Sequence, residues 1–283
     1  ATGHRVLDYV GGTMSPEMQL PKLLWLKRHH PAAWARYGMA LDLADFLVWK
    51  ATDSLTASAC TVTCKWTYLN HEDVGWQQDF LEAIGLGELQ RSLRLPARAL
   101  PVGGRAGDLS AATAREWGLR PGIAVAVAMI DAHAGALGVL GATPAGERDQ
   151  RLALIAGTSN CHMALSAEAR RVPGVWGPYF GALTPDAWLN EGGQSASGAL
   201  LDHILDSHAA SATLGNDRHG QMANHILQRR EDLGPDYASE ILVVPDFHGN
   251  RSPLARPDVR GIVWGQDMDN SIDGLARLYH AAA

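Results

Sequence analysis

Apolar residues recur at helical spacing through Leu20, Leu23, Leu24 and Leu26 and stop at Pro31, which predicts a helix. Ser15 is read as its N-cap, with Pro16 at the first helical position, where a missing N–H removes no bond. Leu43, Phe46 and Leu47 share one side of a second helix near residues 41–50, and shorter helical patterns return near 77–84 and 110–117. Residues 66–80, with Trp66, Asn70 and Trp76 among mostly polar positions, read as loop. Residues 123–130 form an Ala/Val/Ile run after Pro121 and Gly122, the pattern of a strand buried on both faces. Asp131 ends that run, and 132–140 read as a helix of small residues.

The second half repeats the alternation. Residues 143–150 are the best linker candidate, and 151–156 and 161–166 read as a hairpin closed by Gly157, Thr158, Ser159 and Asn160. Residues 191–197 lead into a helix through Leu200, Leu201, Ile204 and Leu205. Strands at 241–244 and 261–264 flank a polar Gly/Pro loop, and 272–283 read as a helix cut off by the chain end. Strands alternating with helices predict an α/β protein with two lobes meeting near residue 145. A length of 283 residues agrees with roughly two domains.

A hydrophobic content of 46% supports a sizeable core, and a charged content of 19% argues against disorder. With 24 basic against 30 acidic residues, no net positive field attracts nucleic acid or an anionic membrane. The longest apolar run, Gly122–Ile130, is too short for about 30 Å of hydrocarbon. The first residues lack a basic segment followed by an apolar one, so a cytoplasmic protein is expected. Three cysteines suit a reducing compartment better than a disulfide framework.

Strand-to-helix turns at sheet ends are where α/β proteins bind ligands. Asp131 stands at such a turn, where a carboxylate held by rigid elements suits a general base; the common role of capping the following helix stays open. His133 reads as a helix-surface or packed histidine. Gly157, Thr158 and Ser159 offer N–H groups and hydroxyls to phosphate oxygens, or simply close a hairpin. No GxxxxGK[ST] occurs, which excludes a P-loop. Gly193-Gln194-Ser195-Ala196-Ser197 misses the GxSxG nucleophile elbow at its last position, which counts against an unrelated α/β hydrolase. Cys60 and Cys64 are one residue too far apart for a CxxC metal knuckle and read as structural. Lys65 alone reads as a solvated lysine, and the nine scattered Trp residues as packing.

Taken together, these segments resemble the FGGY carbohydrate kinases. Residues 22–29, Lys-Leu-Leu-Trp-Leu-Lys-Arg-His, are similar to the latter part of the family's first signature, with Glu17 and Gln19 departing upstream. Residues 45–52 resemble the "D-[YF]-L-x-W-x-x-T" helix, and Asp131-Ala132-His133-Ala134-Gly135 the segment with the family's catalytic aspartate. Gly157-Thr158-Ser159 resembles the phosphate turn opening the second lobe; residues 248–253 and 260–265 resemble the approach to the second signature, where Gln266 departs. Lys65 falls on the lysine of a "C-x-x-x-x-K" stretch and Glu191 on the glutamate of an "E-x-G-Q-S" stretch, both sugar contacts of the ribulokinase-like, pentulose-specific branch.

The resemblance implies a two-lobed RNase H/actin-like ATPase fold, incomplete at both ends, since family members run to about twice this length. It implies residues 1–145 in the sugar-binding lobe and 146–283 in the nucleotide-phosphate lobe. It also implies ATP with Mg2+, Asp131 as the base on the sugar's terminal hydroxyl, Lys65 and Glu191 on sugar hydroxyls, and Gly157, Thr158 and Ser159 on phosphate. D-ribulose leads L-ribulose, xylulose and ribitol as expected substrate. The alternative is a truncated, inactive fragment that binds sugar or serves as a structural core. Open strand edges and apolar faces are expected to draw partner chains or self-association.

Overall fold

The computed structural model describes residues 2–89 and 98–283. The chain forms two compact units, Ala1–Ile155 with His162–Gly192, and Ala156–Cys161 with Gly193–Ala283.

The first unit opens on a 3-10 turn, Arg5–Tyr9, whose first free amide, Val6 N–H, donates to His4 Nδ1 at 3.1 Å. Helix α1 runs over Gln19–His29 from Met18, not from Ser15 as the sequence pattern predicts. Ser15 Oγ instead accepts the Glu17 amide at 3.3 Å, so it closes the turn before the helix. Pro31 ends α1 by opening the short α2, Pro31–Trp34, where its fixed φ suits the first helical position. Helix α3 covers Leu43–Thr52 behind an Asp42 cap. Helix α4, Ala59–Trp66, begins at Ser58, whose side chain accepts the Cys60 amide, and ends at Thr67 with φ 59°. Trp66, Leu69, Phe80, Leu86 and Leu89 build the core around α1, α4 and α5, Gln78–Ala83.

Strands β1, Arg105–Asp108, and β2, Ala124–Ala126, pair antiparallel across α6, Ala111–Trp117. The expected strand over 123–130 is therefore short, and Ala124 and Ala126 are exposed rather than buried on both faces. It belongs to a two-stranded sheet, so little is stacked on it. Helix α7 spans Asp131–Leu140, and residues 143–150, expected as linker, fold in part into a 3-10 helix over Ala145–Gln150. A four-stranded sheet of order β3-β4-β6-β5 follows, with β3 Leu152–Ala156, β4 Asn160–Ser166, β5 Trp176–Phe180 and β6 Trp188–Gln194. Strands β5 and β6 are antiparallel, with Trp176 opposite Glu191. Gly135 lets α7 approach β3: a Cβ there would lie 3.3 Å from Ile155 Cδ1.

The second unit contains the turn between β3 and β4 and the helices α8, Gly198–Ser207, α9, Arg218–Leu233, and α10, Ile272–Ala282. Leu200, Ile204, Leu205, Met222, Ile226, Leu275 and Leu278 form its core. Strands β7, Leu242–Val244, and β8, Ile262–Trp264, pair antiparallel with Leu242 opposite Trp264. Their alternation leaves Leu242, Val244, Ile262 and Trp264 exposed.

Candidate functional site

The first unit gathers Lys65, Asp131 and Glu191 around a buried histidine. Lys65 lies in the last turn of α4, where the helix dipole favours a cation. It is half-buried and makes no hydrogen bond or ion pair among the described residues. The N-terminus of α4 is fixed from α3: Asp45, 4% exposed, accepts the Ser58 amide at 3.0 Å and the Thr61 hydroxyl at 2.6 Å. Burial pushes the Asp45 carboxyl up to about 6 against the pull of those two bonds.

Glu191 sits in the middle of β6, not in a loop before a helix, and is 5% exposed. Its Oε2 lies 3.6 Å from His133 Nε2. Asp131 is the first residue of α7; Ile130 occupies the N-cap position. Asp131 is exposed, and its Oδ1 accepts the adjacent Ala132 amide at 2.8 Å. Its other oxygen stays outside that bond and can take a proton from a ligand hydroxyl.

His133, read from sequence as surface or packed, is fully buried and faces the site residues. Its Nε2 is 3.4 Å from Cys64 Sγ. Burial lowers its pKa; Glu191 and Asp131 oppose the shift and Lys65 reinforces it. Burial, with Cys60 and Glu191, likewise pushes the Cys64 thiol up, so it stays protonated. Tyr179, beside them on β5, has a buried hydroxyl without a hydrogen-bond partner among the described residues, and burial raises its pKa well above the usual value. His133, Cys64 and Tyr179 escape sequence reasoning because only folding brings α4, α7 and β5 together.

In the second unit, Gly157, Thr158 and Ser159 form the tight turn between β3 and β4, closed by Gly157 N–H donating to Ser159 O at 3.0 Å. The turn hangs on the start of α8. Gly198 N donates to Gly157 O at 3.0 Å, and Ser197 N and Ala199 N donate to Thr158 O at 3.0 and 3.3 Å. The free amides of a helix start are thereby satisfied by the turn's carbonyls. The Gly157 amide is spent within the turn, which leaves the Thr158 and Ser159 amides and their hydroxyls outside those bonds. Ser195, the residue a hydrolase would use, lies in the turn between β6 and α8.

Among the described residues, no group of three or more His, Cys, Asp or Glu is placed to hold a metal ion. No described helix is long and apolar enough to cross a membrane.

Residues 2–138 match the model of the FGGY family of carbohydrate kinases, N-terminal domain, and residues 152–283 that of its C-terminal domain. An FGGY carbohydrate kinase domain-containing protein of Danio rerio is 46% identical over 302 residues, covering 99% of this chain and 55% of that protein. A D-ribulokinase of Saccharomyces cerevisiae is 36% identical over 321 residues, covering 100% of this chain and 45% of that protein. Among solved structures, a ligand-bound xylulose kinase from Lactobacillus acidophilus superposes with a TM-score of 0.73 at 15% identity, over 98% of this chain and 52% of that one. The fold is thus that of the two-domain, actin-like sugar kinases. The chain spans about half the length of the relatives it matches.

Proposed function

The chain belongs to the FGGY family of carbohydrate kinases, and from that membership and the site geometry we propose that its protein phosphorylates a terminal hydroxyl of a pentulose with ATP. One observation carries the sugar assignment: a carboxylate, Glu191, is 5% exposed and meets a neutral histidine, with Lys65 on the same cluster. Buried carboxylates are normally paired or fully hydrogen-bonded, and hydroxyls of a bound sugar would complete this one. The similarity to a D-ribulokinase favours D-ribulose over L-ribulose, D-xylulose and ribitol.

Phosphoryl transfer depends on positioning and charge neutralisation more than on covalent help. Asp131, exposed at the start of α7, accepts the proton of the attacking hydroxyl. Lys65 donates to sugar hydroxyls and Glu191 accepts from them, so a sugar lacking the right hydroxyls leaves buried polar groups unpaired. The Gly157, Thr158 and Ser159 turn donates to phosphate oxygens. The sparse carboxylates suit Mg2+ carried by ATP, since that ion keeps several waters and binds substrate phosphates in preference to an all-protein cage. Bound there, it would neutralise phosphate charge. We also propose a lobe boundary near residue 145 and a cytoplasmic site of action.

The test is ADP release by the intact protein with D-ribulose, L-ribulose, D-xylulose and ribitol. D-ribulose is expected to give the highest kcat/KM. Asp131→Asn is expected to lower kcat by about 100-fold to 10,000-fold with little change in sugar affinity. Intact kcat with lost sugar affinity would remove Asp131 from its role. Sugar binding without turnover would favour the inactive alternative.

A further inference from the structure

His133 is 0% exposed, and its Nδ1 has no hydrogen-bond partner among the described residues. Its Nε2 faces two groups, Cys64 Sγ at 3.4 Å and Glu191 Oε2 at 3.6 Å. The charged and titratable groups acting on the ring are Glu191 from β6, Asp131 from its own helix, and Lys65 from α4, beside the Cys64 thiol. Burial keeps the ring neutral, so it carries one proton on one of its nitrogens. On Nδ1, that proton would leave a buried N–H orphaned and would turn the Nε2 lone pair towards a carboxylate. On Nε2, the N–H points at sulfur and carboxylate, and only an acceptor lone pair is left unpaired, which is the smaller loss. The sulfur contact anchors the ring, and Glu191 Oε2 lies 3.6 Å from Nε2, outside hydrogen-bond distance but within charge–dipole reach of its N–H.

We propose that His133 is a positioning residue for sugar recognition: its Nε2–H holds the Glu191 carboxylate in the orientation that accepts sugar hydroxyls. The proposal rests on the assignment of Glu191 to the sugar made above. His133 itself is sealed from solvent and acts only through Glu191.

Steady-state kinetics of the intact protein with D-ribulose and ATP test it. His133→Phe is expected to raise the sugar KM about tenfold or more while leaving the ATP KM unchanged, the scale of a lost bond to a charged group. His133→Gln, whose amide can donate from nearly the same place as Nε2, is expected to stay within about threefold of the parent. Glu191→Ala is expected to raise the sugar KM similarly, and adding His133→Phe to it should change nothing further, because the two act as one unit. A normal sugar KM in folded His133→Phe beside an impaired Glu191→Ala overturns the role of His133 alone. A normal sugar KM in Glu191→Ala overturns the sugar assignment and this proposal with it. Additive losses in the double variant mean that His133 acts by another route and also overturn it. Imidazole 15N shifts of the unsubstituted protein give a readout independent of variant folding: the Nε2–H tautomer is expected, and Nδ1–H overturns the proposal.

Discussion

Asp131 and His133 stand two residues apart on α7, and a helix turns about 200° over that step. The first is therefore exposed and the second buried, although both belong to the same short motif. Lys65 and Cys64 show the same division on α4, one half-buried and one buried. Sequence spacing located Asp131, Lys65 and Glu191 from a family pattern. It left His133 open between a surface and a packed position, because burial is decided by neighbours distant in the chain. The Lys65 ammonium has no hydrogen bond or ion pair among the described residues, so Lys65→Ala is expected to raise the sugar KM about tenfold or more with ATP KM unchanged, as measured by initial rates. A changed ATP KM with normal sugar KM would place Lys65 on the nucleotide instead.

Two junctions between elements hold the site residues in place. In the first unit, Asp45 of α3 ties down the start of α4, the helix that carries Lys65. Its folded carboxyl titrates at about 6, above its ordinary 3.8, so the folded state binds this proton more tightly than the unfolded chain does. The resulting stabilisation is complete below about pH 3.8 and is lost as pH rises through about 6. Asp45→Asn keeps an acceptor for the Ser58 amide and removes the titration. Its stability relative to the parent is expected to improve by about 1 to 2 kcal/mol between pH 5 and pH 7.5, read from urea unfolding at the two values. A constant difference would mean that Asp45 is ionised throughout. In the second unit, Gly198 is one of the contacts between the start of α8 and the Gly157–Ser159 turn. A Cβ at residue 198 would lie 2.7 Å from Gly157 O, a backbone atom that cannot rotate away. Gly198→Ala should displace the turn and raise the ATP KM by about tenfold or more, with sugar affinity kept, since misplacement by about 1 Å is enough for losses of that size. Unchanged ATP kinetics would show that the turn does not hold phosphate.

Across the whole chain, helix positions agree with the apolar periodicity wherever that periodicity is strong. Helix α10 and the helix start at Gly198 fall where the pattern puts them, and α3 lies within about two residues of its expected place. Helix α9 was not predicted, because its polar and charged residues dilute the stripe formed by Met222 and Ile226. The apolar faces expected from sequence are present: Leu242 is 64% and Trp264 72% exposed on the outer side of the β7 and β8 pair. The 283-residue chain is expected to enhance fluorescence of an apolar dye, and paired Leu242→Thr and Trp264→Thr substitutions to reduce it, since contiguous patches of this kind bind such probes. An unchanged signal would mean that the face is covered in solution.

Family and fold were legible in the order of short motifs, which also singled out Asp131, Lys65, Glu191 and the Gly157 turn as candidates, because residue type and spacing are local properties of the chain. The α4 helix, the place of Glu191 within a strand, the burial of His133 against Cys64, and the hold of α8 on the Gly157 turn were not. Each of these depends on which surfaces pack together across 60 or more residues or across the start of a helix. Burial, the direction of a pKa shift and the closeness of two backbones arise from that packing, and no local pattern of residues carries them.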